Sequence, residues 1–111
     1  MRNPSVKEVK QALAALGPVL PGSISKQWNV CGKPGCRCKD PDHPRRHGPY
    51  YQLSFTVAGH SSTLFLKAEE LVAARQCLRR YRRFKDLSTQ LVTAYVAQAR
   101  RGGVAALTEV D

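Results

Sequence analysis

The sequence predicts an α+β fold, and three observations support that prediction. Cysteines and histidines are concentrated between Cys31 and His47, residues 50–66 alternate between apolar and polar side chains, and residues 68–101 have an uninterrupted helical pattern. A chain of 111 residues suffices for one domain, so we expect residues 1–111 to form a single unit. The expected architecture is a metal-stapled loop and a β-hairpin, packed with an N-terminal helix and a long C-terminal helix.

Residues 4–16 are predicted to form a short amphipathic helix. Ser5 can cap it, and Glu8 follows three residues later, as a capping box requires. Gly17 and Pro18 then end it. Its apolar side chains recur at intervals of three and four residues, which places them on one face: Val6, Val9, Leu13 and Leu16.

The next segment, residues 17–30, reads as a linker into the cysteines, because glycine and proline break any regular pattern at its start. Trp28 is the single tryptophan of the chain. We expect its ring to cover the small core beside the cysteines. The alternative is an exposed ring on which a nucleic-acid base can stack.

The alternating pattern of residues 50–66 predicts a β-hairpin. Tyr51, Leu53 and Phe55 alternate with polar residues, residues 58–61 have turn composition, and residues 62–66 return as a second strand. Two strands alone are not stable in water, so a helix is expected to cover one face of the hairpin.

Residues 68–101 supply that helix, since no glycine or proline occurs from Glu69 to Arg101. At about 1.5 Å per residue the helix would be on the order of 50 Å long, more than a small core can cover. Either it breaks near residues 86–88, or its distal half packs on a second copy of the chain. We favour a homodimer through Leu87, Leu91 and Tyr95. Residues 102–111 are expected to be a loose tail.

The segment from residue 22 to 49 is predicted to be a metal-binding loop. Its cysteines follow the spacing C-x4-C-x-C at Cys31, Cys36 and Cys38. The run Lys33-Pro34-Gly35 is typical of a tight turn, because proline presets the bend and glycine accepts a positive φ. Disulfides are not expected in a reducing compartment, and thiolates with one imidazole form a common structural zinc site. We therefore expect Zn²⁺ as the cofactor.

The fourth ligand is expected to be His47, which precedes the first strand and is followed by Gly48 and Pro49. His43, Cys77 or a water molecule are the alternatives. A site of three thiolates and one histidine carries a formal charge of about −1, which nearby basic side chains would offset.

The charge of the chain favours a polyanionic partner. Its net charge is +10 and its pI is about 10. Basic residues concentrate in the cysteine segment and in the first half of the long helix, and we expect both groups to contact nucleic acid: Lys33, Arg37, Lys39, Arg45, Arg46, Arg75, Arg79, Arg82 and Arg83. No base-reading motif is present, so we expect contacts to the backbone, with DNA as the expected nucleic acid.

Catalysis is not expected. A catalytic zinc keeps an open coordination position and usually has a carboxylate base nearby, and the acids close in sequence are Asp40 and Asp42 in a polar loop. We therefore expect no small-molecule substrate. The competing hypotheses are a homodimeric interaction scaffold and a thiol-based redox or metal sensor. With no signal peptide and no apolar run of roughly 18 residues, the cytoplasm is the expected location, without membrane contact.

The block from Gly22 through Cys31-Gly-Lys-Pro-Gly-Cys36-Arg-Cys38-Lys39 to His47-Gly-Pro-Tyr50-Tyr51 resembles a family of small, uncharacterised bacterial proteins. The resemblance extends over roughly residues 22–90. Some members of that family are encoded near transposases or other mobile elements. The resemblance implies a zinc-binding hairpin followed by a helix, and it brings no established activity. The insertion of residues 41–46 is longer than the usual loop of that family.

Overall fold

The computed structural model describes residues 4–29 and 31–107 and confirms the α+β fold. The helices are α1 (Val6–Ala15) and α2 (Leu71–Gly102), and the strands are β1 (Ser23–Asn29), β2 (His47–Val57) and β3 (His60–Leu66). The strands form one antiparallel sheet in the order β1-β2-β3. Short 3-10 turns occupy Arg37–Lys39, Ala68–Glu70 and Val104–Ala106.

The chain divides into two compact units. The sheet unit comprises Pro21–Leu78, and the helical unit comprises the residues up to Leu20 together with those from Arg79 onward. Helix α2 contributes its first two turns to the sheet unit and the remainder to the helical unit. Helix α2 belongs to both units, and the single domain expected for residues 1–111 stays a prediction.

Strand β2 is the centre of the sheet unit. Leu53 on this strand is fully buried, and Leu66 of β3 and Ala74 of α2 are also buried. Tyr51 and Phe55, two residues to either side of Leu53, are half-buried, whereas Ser54 and Thr56 are exposed, so the predicted period of two is confirmed around Leu53. Strand β2 begins at His47, three residues before the predicted start of the hairpin.

Strand β1 was not predicted, because residues 22–49 were assigned to a loop. In the structure Ile24 of β1 lies opposite Leu53, and Lys26 lies opposite Tyr51. The strand is polar at most positions, so its own sequence gives a weak signal. Its pairing with β2 supplies the backbone hydrogen bonds that define it.

The connection between β2 and β3 is a two-residue turn at Ala58 and Gly59, with Val57 paired to His60. Both turn residues have positive φ, 52° at Ala58 and 80° at Gly59. Such a turn matches the twist of the flanking strands. The hairpin is thus confirmed, with a turn two residues shorter than the predicted 58–61 segment.

Helix α1 starts from the predicted cap, Ser5, and spans Val6–Ala15, within the predicted range of residues 4–16. The backbone N–H of Glu8 donates to the Ser5 hydroxyl at 3.2 Å, and the Val9 side chain is buried in the helical unit. A side chain that accepts one of the free N–H groups at a helix start stabilises the helix by about 1 kcal/mol. The cap and the buried Val9 together fix the position of α1.

Helix α2 is continuous through residues 86–88, so a break there is excluded. Leu87 is buried within the chain, which removes it from the predicted dimer contact. The helix ends at Gly102, and Gly103, with φ 80°, donates its N–H to the Ala99 carbonyl at 2.7 Å. Part of the predicted tail forms a 3-10 turn at Val104–Ala106, and residues 108–111 lie outside the described residues. No helix in the described part of the chain combines the length and apolar composition needed to cross a membrane.

Candidate metal centre

The structure brings three cysteines and one histidine together in the sheet unit. The ligand atoms of Cys31, Cys36, Cys38 and His47 all lie within 4.8 Å of one another. The Sγ atoms of Cys31 and Cys38 are 3.5 Å apart, and Cys36 Sγ lies 3.2 Å from Nε2 of His47. This group can hold a metal ion. We call residues 31–47 the cysteine loop.

A tight turn sets the first two cysteines side by side. The N–H of Cys36 donates to the Lys33 carbonyl at 3.4 Å, and Gly35 has φ 76°. A turn of this kind requires a positive φ at its third residue and accepts proline at its second, the position of Pro34. The turn predicted from Lys33-Pro34-Gly35 is therefore confirmed, and it folds the chain back so that Cys31 and Cys36 share one site.

The 3-10 turn Arg37–Lys39 carries Cys38, which is buried. The N–H of Cys31 donates to Cys38 Sγ at 3.3 Å, which connects the segments on either side of the tight turn. A backbone N–H aimed at a sulfur stabilises its thiolate form, which is the form that ligates metals.

Residues 40–46 form a separate lobe of the cysteine loop. The Asp40 carboxylate accepts from the N–H groups of Asp42 at 2.9 Å and His43 at 3.2 Å, and the Arg45 N–H donates to the Arg37 carbonyl at 2.9 Å. His43 is exposed on this lobe and lies outside the cluster. The lobe closes on itself and leaves the fourth position to His47.

His47 is positioned by the sheet. It is the first residue of β2 and pairs with Asn29, beyond a register shift in the pairing of β1 with β2 that falls between Gln27 and Asn29. Gly48 follows with φ 137°, and a Cβ there would lie 2.8 Å from the Gln27 carbonyl oxygen. Since β1 passes this close, the position requires glycine, and the Gly48–Pro49 peptide is cis. The sheet thus positions the His47 imidazole beside the cysteines.

The pKa values of the Cys36 and Cys38 thiols are shifted in opposite directions by their surroundings. The N–H of Cys38, with the side chains of Cys31, Cys38 and His47, lowers the pKa of the Cys36 thiol to about 6. Burial raises the pKa of the Cys38 thiol above its usual value. The more exposed Cys36 is therefore the thiol more readily converted to thiolate at neutral pH.

The distances fit a tetrahedral metal site. Four ligands at the usual zinc–sulfur bond length of about 2.3 Å place neighbouring sulfur atoms roughly 3.8 Å apart. The 3.5 Å between the sulfurs of Cys31 and Cys38 is close to that edge and well beyond the roughly 2.05 Å of a disulfide. The donor set of three sulfurs and one nitrogen thus suits a tetrahedrally coordinated metal ion.

An open cavity of about 530 Å³ adjoins the cluster. It is lined by Asn29, Cys31, Lys33, Cys36, His47 and Tyr50. Asn29 and Tyr50 were not singled out from the sequence, because their positions beside the cysteines depend on the pairing of β1 with β2. The alternation of side chains along the predicted strand was the available signal for Tyr50, since it places Tyr50 on the face opposite Leu53.

The predicted nucleic-acid-binding residues are all exposed: Lys33, Arg37, Lys39, Arg45, Arg46, Arg75, Arg79, Arg82 and Arg83. Five lie on the cysteine loop, and the remaining four lie on α2, where Arg75 belongs to the sheet unit and the other three to the helical unit. None of the nine side chains forms an ion pair with another residue within 4–29 or 31–107. Their charges are therefore available to an external anion.

Two other residues of interest lie outside the cluster. Cys77 is half-buried on α2 and is not among the four clustered ligands.

Trp28 is 49% exposed, and the Lys26 ammonium lies 5.8 Å from its ring centroid. The ring also borders Gly48, since a Cβ on that glycine would lie 3.3 Å from Cε3 of Trp28. Trp28 thus contacts the start of β2 with part of its ring and leaves the other part in solvent.

The fold and the cluster together define an α+β protein with a three-cysteine, one-histidine group able to hold a metal. A family model described as a domain of unknown function, DUF6788, matches residues 4–76, and the chain belongs to that family. No curated protein and no solved structure matches the chain. The match covers α1, the whole sheet and the cysteine loop, and it ends in the second turn of α2.

Proposed function

We propose that this chain is a non-enzymatic zinc protein that binds nucleic acid through contacts to the phosphate backbone. One observation carries the proposal: the cysteine loop combines the metal-binding cluster with five exposed cationic side chains. A metal that fixes the loop also fixes the positions of those charges. Their function is then to present a rigid cationic surface rather than to perform chemistry.

Zinc is the metal that best matches the donors. Thiolate and imidazole ligands in a closed set of four are typical of structural zinc sites, whereas Mg²⁺ and Ca²⁺ require oxygen ligands. Three thiolates and one neutral imidazole give the site a formal charge of about −1. Lys33, Arg37 and Lys39 lie on the same loop and offset that charge.

Nucleic acid is the polyanion that best matches the charge. A net charge of +10 on 111 residues, with nine exposed cations unpaired in the described residues, favours a partner of high charge density. The resemblance to proteins encoded near transposases favours DNA and a link to a mobile element. Phosphate contacts do not read sequence, so we expect weak sequence preference.

The test is the salt dependence of binding to a short DNA, measured by fluorescence anisotropy on zinc-loaded protein. Binding should weaken linearly on a log–log plot, with a slope proportional to the number of phosphates contacted. Arg79→Glu with Arg83→Glu should weaken binding at least tenfold and reduce that slope. The matched control is Arg100→Glu with Arg101→Glu, which changes the net charge equally on the same helix. Equal affinity of the wild type and both double variants for the DNA would contradict the assignment of Arg79 and Arg83 to the nucleic-acid-binding surface.

A homodimeric scaffold is the second candidate, and the exposed apolar side chains of α2 favour it. Val92 is 61% exposed, and Val96 and Phe84 are also exposed. Because Leu87 is buried, a dimer would use Val92 and Val96 instead. Light scattering over a range of protein concentrations should then show a mass near twice 12.3 kDa that Val92→Glu abolishes.

A further inference from the structure

The two faces of the sheet differ in composition. One face carries the buried Leu53 and Leu66, with the half-buried Tyr51 and Phe55 beside them. Side chains on the other face follow by alternation and by the strand register. We call six of the side chains on this second face the open face: Gln27, Tyr50, Gln52, Ser54, Thr63 and Phe65.

The open face carries two aromatic rings among polar side chains. Phe65 is 72% exposed and Tyr50 is 44% exposed. Phe65 pairs directly with Gln52, so Tyr50, two residues before Gln52, is its diagonal neighbour on the adjacent strand. Diagonal neighbours on a sheet face are about 7–8 Å apart. A phenylalanine this exposed adds little to the stability of the fold, and a second exposed ring beside it makes a surface rather than an isolated residue.

Positive charge and hydrogen-bonding groups flank the rings. Tyr50 lines the cavity of about 530 Å³ beside the metal cluster, together with Lys33 and Asn29. Lys33 is exposed and makes no ion pair within the described residues, so its ammonium is available to a phosphate. The amides of Gln27 and Gln52 lie on the same face as the rings and can bond to base edges. Aromatic, cationic and amide groups therefore border one surface.

We propose that the open face binds single-stranded nucleic acid, with bases stacked on Tyr50 and Phe65 and the adjoining phosphate held by Lys33. Sheets that bind single strands use aromatic side chains on adjacent strands in this way. A duplex cannot use the rings, because its bases are already stacked and paired. The inference rests on the proposed function and deepens it, since it names the form of nucleic acid and the residues that distinguish it.

The experiment compares the zinc-loaded protein with variants on three fluorescent probes: a twelve-nucleotide oligothymidine, a twelve-nucleotide oligouridine and a twelve-base-pair duplex. Tyr50→Ala and Phe65→Ala should each weaken single-strand binding by about 5- to 100-fold, and leave duplex binding within twofold. Tyr50→Phe should retain the affinity. Phe84→Ala, which removes an exposed ring of the helical unit, is the matched control and should bind like wild type.

Salt dependence separates stacking from charge. The two alanine variants should keep the wild-type slope of log affinity against log salt, because they remove no cation. Lys33→Ala should lower the magnitude of that slope by about 0.7, the value for one phosphate contact on a single strand. Zinc content and the circular dichroism spectrum of each variant confirm that the fold is kept, as expected for exposed side chains.

The outcomes distinguish the two claims. Single-strand binding that is lost in both aromatic variants supports the inference, and the oligothymidine and oligouridine arms then identify DNA or RNA as the ligand. Binding that is unchanged in Tyr50→Ala and Phe65→Ala, or that is equally weakened by Phe84→Ala, overturns the inference and leaves the proposed function standing. Absence of binding to all three probes at low salt overturns the proposed function as well.

Discussion

The helical unit and the cysteine loop of the sheet unit differ in what stabilises each of them. In the helical unit the side chains of Val9 on α1 and Leu87 on α2 are buried. Both helices also have residues that favour a helix end, Ser5 at the start of α1 and Gly103 after the end of α2. In the sheet unit the seventeen residues of the cysteine loop contain one buried side chain, Cys38, which is itself a member of the metal cluster. Apolar packing therefore accounts for the first unit, whereas we expect the cysteine loop to depend on a bound metal ion.

This difference matters because a loop without an apolar core has little to offset the entropy of ordering it. Fixing a backbone costs about 1–2 kcal/mol per residue. The turn at Lys33–Cys36 and the lobe closed by Asp40 give local hydrogen bonds, but such bonds contribute only about 1 kcal/mol each. A structural metal supplies binding free energy on the scale required. Perturbing the metal and perturbing the apolar cores should consequently affect different parts of the chain.

The largest effect is expected from the buried ligand. Cys38→Ser should abolish stoichiometric zinc binding and disorder the cysteine loop, because the metal contributes on the order of several kcal/mol to its stability. Amide hydrogen exchange should increase across residues 31–47, while α2 stays protected. Cys77→Ser is the matched control, since Cys77 lies outside the cluster, and it should keep one zinc. Loss of zinc in both variants would show that Cys77 is a ligand.

The next largest effect is expected from the buried apolar side chains rather than from the metal ligands. Leu87→Ala should lower the free energy of unfolding by about 2–5 kcal/mol, as for other truncations of fully buried leucines, without changing zinc stoichiometry. Leu53→Ala should have a similar magnitude but act on the sheet unit. Denaturant titration and zinc analysis of both variants measure the two effects. Zinc loss in Leu87→Ala alone would contradict the separation of the two units.

A smaller effect tests how the turn prepares the site. Gly35→Ala should weaken zinc binding by about 1–2 kcal/mol, because alanine is strained at φ 76°. The added Cβ itself would meet no atom within 4 Å, so the effect comes from the backbone conformation. Gly32→Ala is the matched control, since its added Cβ also meets no atom and its φ is not in the left-handed region. Competition with a chromophoric chelator gives both affinities. Equal affinities would mean that the metal imposes the turn, rather than the turn preorganising the metal site.

The smallest effect concerns the hairpin. Ala58 has φ 52°, where asparagine is tolerated better than alanine, so Ala58→Asn should raise the free energy of unfolding by about 0.5–1 kcal/mol. Thermal unfolding measures the gain, and zinc affinity should not change. A lower melting temperature would indicate that the Ala58 methyl group contributes packing that its exposure does not suggest.

The sequence predicted the elements that have strong local signals. Helix α1 was predicted from Ser5 and its apolar face, α2 from its length without glycine or proline, and the hairpin from the alternation around Leu53. Strand β1 was missed because its stability comes from pairing with β2, a non-local interaction that a polar segment does not reveal. The continuity of α2 at residues 86–88 was also undecided, because the burial of Leu87 depends on tertiary packing.

For the site, the cysteine spacing and the turn residues were enough to propose Cys31, Cys36 and Cys38. The choice between His43 and His47 needed the structure, because only the folded lobe closed by Asp40 and Arg45 shows that His43 lies outside the cluster. The open face could not be predicted. Phe65 lies in the apolar run Leu64-Phe65-Leu66, and only the register with Gln52 shows that it shares a face with Tyr50.

The most direct test of the metal-dependent loop is native mass spectrometry of the protein purified without added metal, repeated after chelation and paired with hydrogen exchange. The account predicts one zinc per chain and, after chelation, loss of protection confined to residues 31–47. A metal-free protein that keeps the cysteine loop protected, or one with a disulfide between Cys31 and Cys38, would contradict it.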